Sequence, residues 1–170
     1  PASRVPEEVA RAQGDPAKSV GHYVITERIG QGGMGEVWKA WDAELSRWIA
    51  LKFLKGRDAD EVERFQREAQ VAANLRHPNI CAIYEVGGAS EGRRHYIAME
   101  YVRGMTLGKV PRGNRRRLVE LVREAALALQ YAHEQGVVHR DVKPANIMVA
   151  DETGRAYVMD FGLARQLRGD

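Results

Sequence analysis

Four glycines fall within six residues at Gly30-Gln31-Gly32-Gly33-Met34-Gly35, and the runs on either side alternate apolar with polar side chains. Before them stands Tyr23-Val24-Ile25-Thr26-Glu27-Arg28-Ile29, and after them Glu36-Val37-Trp38-Lys39-Ala40-Trp41. Alternation is the period of a strand, so the chain reads here as a hairpin with a long flexible tip. Glycines have no side chain to hold a phosphate away from backbone N–H groups, and such a tip suits a lid over a polyphosphate. A glycine-rich turn without a ligand is the plain alternative. A dinucleotide fingerprint does not fit, because it needs a helix directly after the glycines, and here a strand follows.

The rest of the chain extends this start into an α+β pattern. Trp48-Ile49-Ala50-Leu51-Lys52-Phe53-Leu54 reads as a mostly buried strand carrying one lysine. Between Asp58 and Leu75 the apolar residues Val62, Phe65, Ala69 and Ala72 recur at helical spacing, and His77-Pro78-Asn79 ends that helix. Strand-like runs follow at Ile80–Val86 and Tyr96–Val102, with a break at Gly104. A second helix covers Arg115–Gln135, with Gly136 as its C-terminal cap. An irregular stretch, His139–Asn146, leads into a short hairpin of Ile147–Val149 with Ala156–Met159. Residues 1–20, with Pro1, Pro6 and Pro16 and only a short helix-like stretch at Glu7–Ala12, read as a flanking arm or linker.

Composition removes several classes. A formal net charge of +3 is too small for a nucleic-acid or anionic-membrane footprint. No apolar run reaches the roughly eighteen residues of a bilayer span. The single cysteine, Cys81, cannot form an internal disulfide, which fits a reducing compartment, and its plain reading is a small buried hydrophobe. The chain starts at Pro1 and stops at Asp170 without a start or stop signal, so the expectation is a piece of something longer.

Two further constellations carry chemistry. Lys52 sits among Ile49, Ala50, Leu51, Phe53 and Leu54, and a buried ammonium needs a partner. Glu68 lies between Phe65 and Ala72 on the apolar side of the first helix and supplies one; pairing with Arg64 on the helix surface is the alternative. A Lys52–Glu68 pair leaves Lys52 poised over a polyphosphate under the glycine loop. Asn146 precedes the first strand of the short hairpin and Asp160 follows the second, so antiparallel pairing sets two oxygen ligands at one mouth. With phosphate oxygens they suit octahedral Mg²⁺. Asp141, five residues before Asn146, is placed to accept or orient the proton of an attacking hydroxyl, while Lys143 offsets charge on the phosphoryl group. Turn-making polar side chains are the alternative for each residue singly.

Taken in order, the glycine loop Gly30–Val37, Ala50-Leu51-Lys52, Glu68, His139-Arg140-Asp141 through Asn146, and Asp160-Phe161-Gly162 resemble the protein-kinase family. Leu75-Arg76-His77-Pro78-Asn79-Ile80, Met99-Glu100-Tyr101-Val102 and Leu163-Ala164-Arg165 look like bacterial serine/threonine kinases of the eukaryotic-like type. Lys143, two residues after Asp141, is the serine/threonine form of the loop. The resemblance implies a two-lobed fold: a five-stranded antiparallel N-lobe sheet with one helix over residues 21–102 including the hinge, and over 103–170 the beginning of a mainly helical C-lobe, cut short after Gly162.

It also implies roles. Asp141 is the catalytic base, Lys143 a phosphate contact, and Lys52 the α/β-phosphate clamp held by Glu68. Asn146 and Asp160 are the metal ligands. The nucleotide is held by Ile29, Gly30, Gln31, Gly32, Gly33, Met34 and Gly35, by Val37, Ala50 and Met148 around adenine, and by the backbone of Glu100 and Val102 as hinge, with Met99 as gatekeeper. Arg140 is the arginine that in this family often reads a phosphorylated activation loop. The implied activity is transfer of the γ-phosphate of Mg-ATP, with Mn²⁺ as an alternative metal, to Ser/Thr hydroxyls of protein substrates. A nucleotide-binding pseudokinase or regulatory scaffold is the alternative. Expected partners are protein substrates and a second copy for autophosphorylation, without nucleic acid or membrane contact from this segment, in the cytoplasm.

Two departures stand out. Ala72 occupies a place where the family usually has a larger apolar side chain, and the stretch from Gly104 to Leu118 is short and rich in arginine (Arg112, Arg115, Arg116, Arg117), read as a solvated basic face. The peptide platform past Asp170 is not in this sequence, so the segment alone is expected to be poorly active.

Overall fold

The glycine hairpin is the spine of the first half of the molecule. In a computed structural model, which describes residues 5–32, 35–55, 59–88, 94–161 and 165–166, strand β1 (Ser19–Val20) pairs with β2 (Tyr23–Gly32), β2 with β3 (Gly35–Asp42), and β3 with β4 (Arg47–Leu54). Strands β5 (Ile83–Gly87) and β6 (Tyr96–Glu100) complete a sheet of order β1-β2-β3-β4-β6-β5. The expected five strands are therefore joined by a short sixth, β1, because the end of the N-terminal arm doubles back and lies along Val24 and Tyr23.

The ladder runs further into the glycine cluster than expected. Pairing continues to Gly32 opposite Gly35, and irregularities fall instead at Ile25/Glu27 and Arg28/Gly30. Glycines leave nothing to obstruct the ladder, so it runs to the end of the cluster. Gly35 has φ +152°, and a Cβ there would sit 1.8 Å from the carbonyl oxygen of Phe53. Gly33 and Met34 lie outside the described residues.

Alternation sorts the sheet into two faces. Val37 stands opposite Lys52, Lys39 opposite Ala50, and Ala50 opposite Met99, which places these residues on one face. The other face carries Ala40, Ile49, Leu51, Phe53 and Ala98, buried together with Tyr23 and Ile25. There Tyr23 and Tyr96 donate their hydroxyls to the two oxygens of Glu85, at 2.6 and 2.8 Å. Burial first, then the Glu85 carboxylate, push the Tyr23 hydroxyl far above its ordinary titration range.

Helix α1 (Glu7–Ala12) places Val9 and Ala12 against Val24, Trp41 and Trp48 of the sheet. The segment read as an arm is thus fastened to the sheet face that bears Lys39 and Ala50. The chain divides into two units, Pro1–Val62 with Tyr84–Tyr101, and Glu63–Ile83 with Val102–Asp170. Helix α2 (Ala59–Ala73) begins in the first and ends in the second.

The second unit is built on helix α3 (Arg115–Glu134), between β7 (Gly104–Thr106) and β8 (Val137–Val138). Asn114 caps α3 by accepting from the Arg117 N–H at 3.0 Å, and Gly136, at φ +74°, returns its N–H to the His133 carbonyl at 2.9 Å. Leu121, Ala125, Ala128 and Ala132 face a core made with Ala72, Leu75, Ile80, Val137, Ile147, Ala156, Val158 and Phe161. Hairpin β9 (Ile147–Ala150) with β10 (Ala156–Val158) lies on this core, and β7 adds to the outer edge of β9. Strand β11 (Arg165–Gln166) pairs with β8.

The strand expected from Ile80 starts instead at Ile83. Ile80 makes a parallel bridge to Val158, and Asn79 and Cys81 exchange backbone hydrogen bonds with that residue, so the segment after His77-Pro78 belongs to the second core. Among the described residues no helix is long and apolar enough to cross a membrane.

Candidate active site

In the second unit the geometry follows from one hairpin. Ile147 opposite Val158 closes the β9–β10 ladder, and the Met159 N–H then reaches the Asn146 carbonyl at 2.8 Å. Asn146 and Asp160 are thereby held at the same mouth, as the antiparallel reading required. Asp160 takes φ +62° and Arg140 φ +66°, both left-handed. For an arginine that conformation costs about 1–3 kcal/mol, and it persists only where surrounding bonds dictate it.

His139 supplies those bonds. It is 1% exposed, and its Nδ1 accepts the Asp141 N–H at 3.2 Å while Nε2 lies 2.7 Å from the Met159 carbonyl oxygen. A carbonyl only accepts, so Nε2 carries a proton and donates it to Met159, while Nδ1 serves as the acceptor. The same ring meets Phe161 edge-on with centroids 4.7 Å apart. One imidazole therefore ties the Asp141 loop, the end of β10 and the Asp160-Phe161 turn. The sequence signalled His139 only as part of a motif; its anchoring function became legible once β10 was placed.

Asp141 is held by two donors on one oxygen. Lys143 Nζ lies 2.7 Å and Asn146 Nδ2 2.9 Å from its Oδ2. Asn146 Nδ2 also donates to the Asp141 main-chain oxygen at 2.8 Å. The Lys143 hydrogen bond first, and the Asn146 bond second, hold the carboxyl below the usual aspartate range. Among the described residues no hydrogen bond falls on Oδ1 of Asp141; both side-chain donors are on Oδ2. With both amide hydrogens spent on Asp141, Asn146 presents only its oxygen elsewhere. That oxygen and the Asp160 carboxylate are hard donors of the kind Mg²⁺ accepts, and among the described residues there is no cluster of three or more His, Cys, Asp or Glu. Two protein oxygens completed by phosphate oxygens and water fit the ion.

In the first unit Lys52 is 6% exposed at the middle of β4, between Val37 of β3 and Ile97 of β6. Ala50 is 3% and Met99 8% exposed, neighbours across the β4–β6 ladder. Ile29, Gly30, Gln31 and Gly32 lie in β2, Gly35 and Val37 in β3, and Glu100 ends β6. Outside the glycines, Glu36 accepts from Arg94 at 3.1 Å, Trp38 Nε1 at 3.4 Å and Arg28 at 3.5 Å, a bracket no sequence period announces. The Arg94 bond chiefly holds the Glu36 carboxyl below its ordinary range. In the second unit Met148 lies in β9 opposite Tyr157, and Val102 is buried. Glu68 belongs to α2, but its side chain lies outside the described residues, as do Gly162, Leu163 and Ala164.

Residues 23–170 match the model of the protein kinase domain, and the chain belongs to the protein kinase family. Its relatives are bacterial serine/threonine kinases. A probable serine/threonine-protein kinase of Streptomyces coelicolor is 42% identical over 162 residues, and the serine/threonine-protein kinase PknB of Mycolicibacterium smegmatis 45% over 154. PknA of Mycobacterium tuberculosis is 40% identical over 155 residues. These alignments take in 90%, 85% and 85% of this chain. The chain spans 24% of the length of each of the first two relatives and 36% of the third. The family uses ATP with a divalent metal ion.

Proposed function

We propose that the protein of which this chain is part transfers the γ-phosphoryl group of Mg-ATP to serine or threonine hydroxyls of proteins, its own included. The observation that carries the reading is the Asp141 carboxylate, pinned on Oδ2 by Lys143 and Asn146, with no hydrogen bond on Oδ1 among the described residues and Asp160 set at the same hairpin mouth. Oδ1 accepts the hydrogen bond of the substrate hydroxyl and turns its lone pair toward phosphorus. The new bond joins that oxygen to the γ-phosphorus, the bond to the β-phosphate bridging oxygen breaks, and the hydroxyl proton passes to Asp141. A carboxylate of lowered proton affinity takes this proton late, when the hydroxyl has become acidic, so its first task is orientation. Lys143, already at the carboxylate, offsets the charge on the moving phosphoryl group.

Asn146 Oδ1 and Asp160 would hold the Mg²⁺ that neutralises the phosphates when bound. Val37, Ala50 and Met148 hold adenine, the backbones of Glu100 and Val102 read its edge beside Met99, and the loop from Ile29 to Gly35 covers the phosphates. Lys52, buried in β4, clamps the α- and β-phosphates with Glu68 as its partner. Residues 21–102 then serve as N-lobe and hinge, and 103–170 as the first part of the C-lobe. The cytoplasm, where ATP resides, is its proposed compartment, and a second copy of the chain the proposed partner in autophosphorylation.

Incubating the full-length protein with γ-labelled ATP, Mg²⁺ and a generic basic protein tests this. Label on serine or threonine, abolished by Lys52→Met, is expected. No transfer by the full-length protein, or transfer undiminished in the Lys52 variant, contradicts the reading.

A further inference from the structure

The match to the kinase domain begins at residue 23, yet the structure continues the sheet's packing upstream of it. Val9 of α1 is fully buried and Ala12 is 2% exposed, both seated on Val24, Trp41 and Trp48. The two indoles meet edge to face with centroids 5.2 Å apart. Beside them runs Lys39, whose side chain is 14% exposed. Its Nζ lies 2.8 Å from Glu8 Oε1, 3.9 Å from the centre of the Trp48 ring and 5.8 Å from that of Tyr101. The cation is thus shared by the arm, by β4 and by the residue that stands between Glu100 and Val102.

Position gives this arrangement its meaning. Lys39 is opposite Ala50 in the β3–β4 ladder and on the same face as Val37 and Lys52. An ammonium over an aromatic face at such distances restrains the ring, more strongly where water is excluded. The carboxylate of Glu8 in turn fixes which way the ammonium points.

We infer that Lys39 is a positioning residue for purine recognition: with Glu8 it restrains the Tyr101 ring, and so the main chain whose neighbouring carbonyl and N–H groups read the base. The N-terminal arm is then a working part of the nucleotide site. The inference rests on the hinge reading of Glu100 and Val102 above. The phosphates of every nucleoside triphosphate meet the same glycine loop and Lys52, whereas only the hinge tells adenine from guanine. Loosening Tyr101 therefore lowers affinity for ATP more than for GTP, and a purely structural defect lowers both alike.

The test measures Kd for ATP and for GTP, each with Mg²⁺, on the full-length protein and on Lys39→Met, Lys39→Arg and Glu8→Gln. Lys39→Met is expected to weaken ATP binding about fivefold, the scale of one cation–π contact, and GTP binding less than about twofold. Glu8→Gln moves ATP in the same direction by less, and Lys39→Arg, which keeps the cation, restores discrimination. If Lys39→Met does not fold, Glu8→Gln and Tyr101→Leu carry the same comparison. Equal losses for both nucleotides, or no loss for either, overturn the inference. Absence of nucleotide binding by the unaltered protein instead overturns the hinge reading, and this inference falls with it.

Discussion

Asn146 donates both of its amide hydrogens to Asp141, one to the main-chain oxygen at 2.8 Å and one to Oδ2 at 2.9 Å. The loop Asp141–Asn146 is closed on itself by one side chain, and the carboxylate is aimed by the residue proposed to hold the metal. In the proposed reading, positioning of the base and binding of the ion are coupled within a single amide.

That coupling predicts a pH effect. The native Asp141 carboxyl titrates below its unfolded value of about 3.9, so the stabilisation from its partners is present above that value and is lost as pH falls through the native one. In Lys143→Ala the largest cause of the lowering is gone. Carboxyl-carbon NMR titration is expected to show Asp141 protonating at higher pH than in the unaltered protein. An unmoved or lowered value contradicts the assignment of Lys143 as its chief partner.

Gly35→Ala examines the glycine hairpin. The added methyl would stand 1.8 Å from the Phe53 carbonyl oxygen, at a φ of +152°. Backbone cannot yield as a side-chain tip does, so a loss of about 3 kcal/mol in urea unfolding is expected. A loss under about 0.5 kcal/mol would show that β3 and β4 are not paired at Gly35 as described.

Val9→Ala examines the arm. Removing two methyl carbons from a fully buried site against Val24, Trp41 and Trp48 is expected to cost about 2 kcal/mol and to speed proteolysis before residue 20. Unchanged stability together with an unchanged cleavage rate would mean that the arm is not docked.

Much of this was written in the sequence. The alternation around the glycines, the helical spacing of Leu121, Ala125 and Ala132, and the hairpin placing Asn146 near Asp160 all express local periodicity. What stayed hidden was long-range. Nothing local predicts that Glu8 meets Lys39, or that Ile80 bridges to Val158 rather than beginning a strand, since both depend on partners far along the chain. His139 likewise reads as one motif letter until the Met159 carbonyl and Phe161 close around it.

The most direct measurement compares the full-length protein with Asp141→Asn, using γ-labelled ATP, Mg²⁺ and a protein acceptor. The amide keeps the shape but cannot take the proton, so transfer is expected to fall about 10²- to 10⁴-fold while the Kd for Mg-ATP stays within about twofold. Equal transfer by both proteins would contradict the assignment of Asp141 as the base on which this account depends.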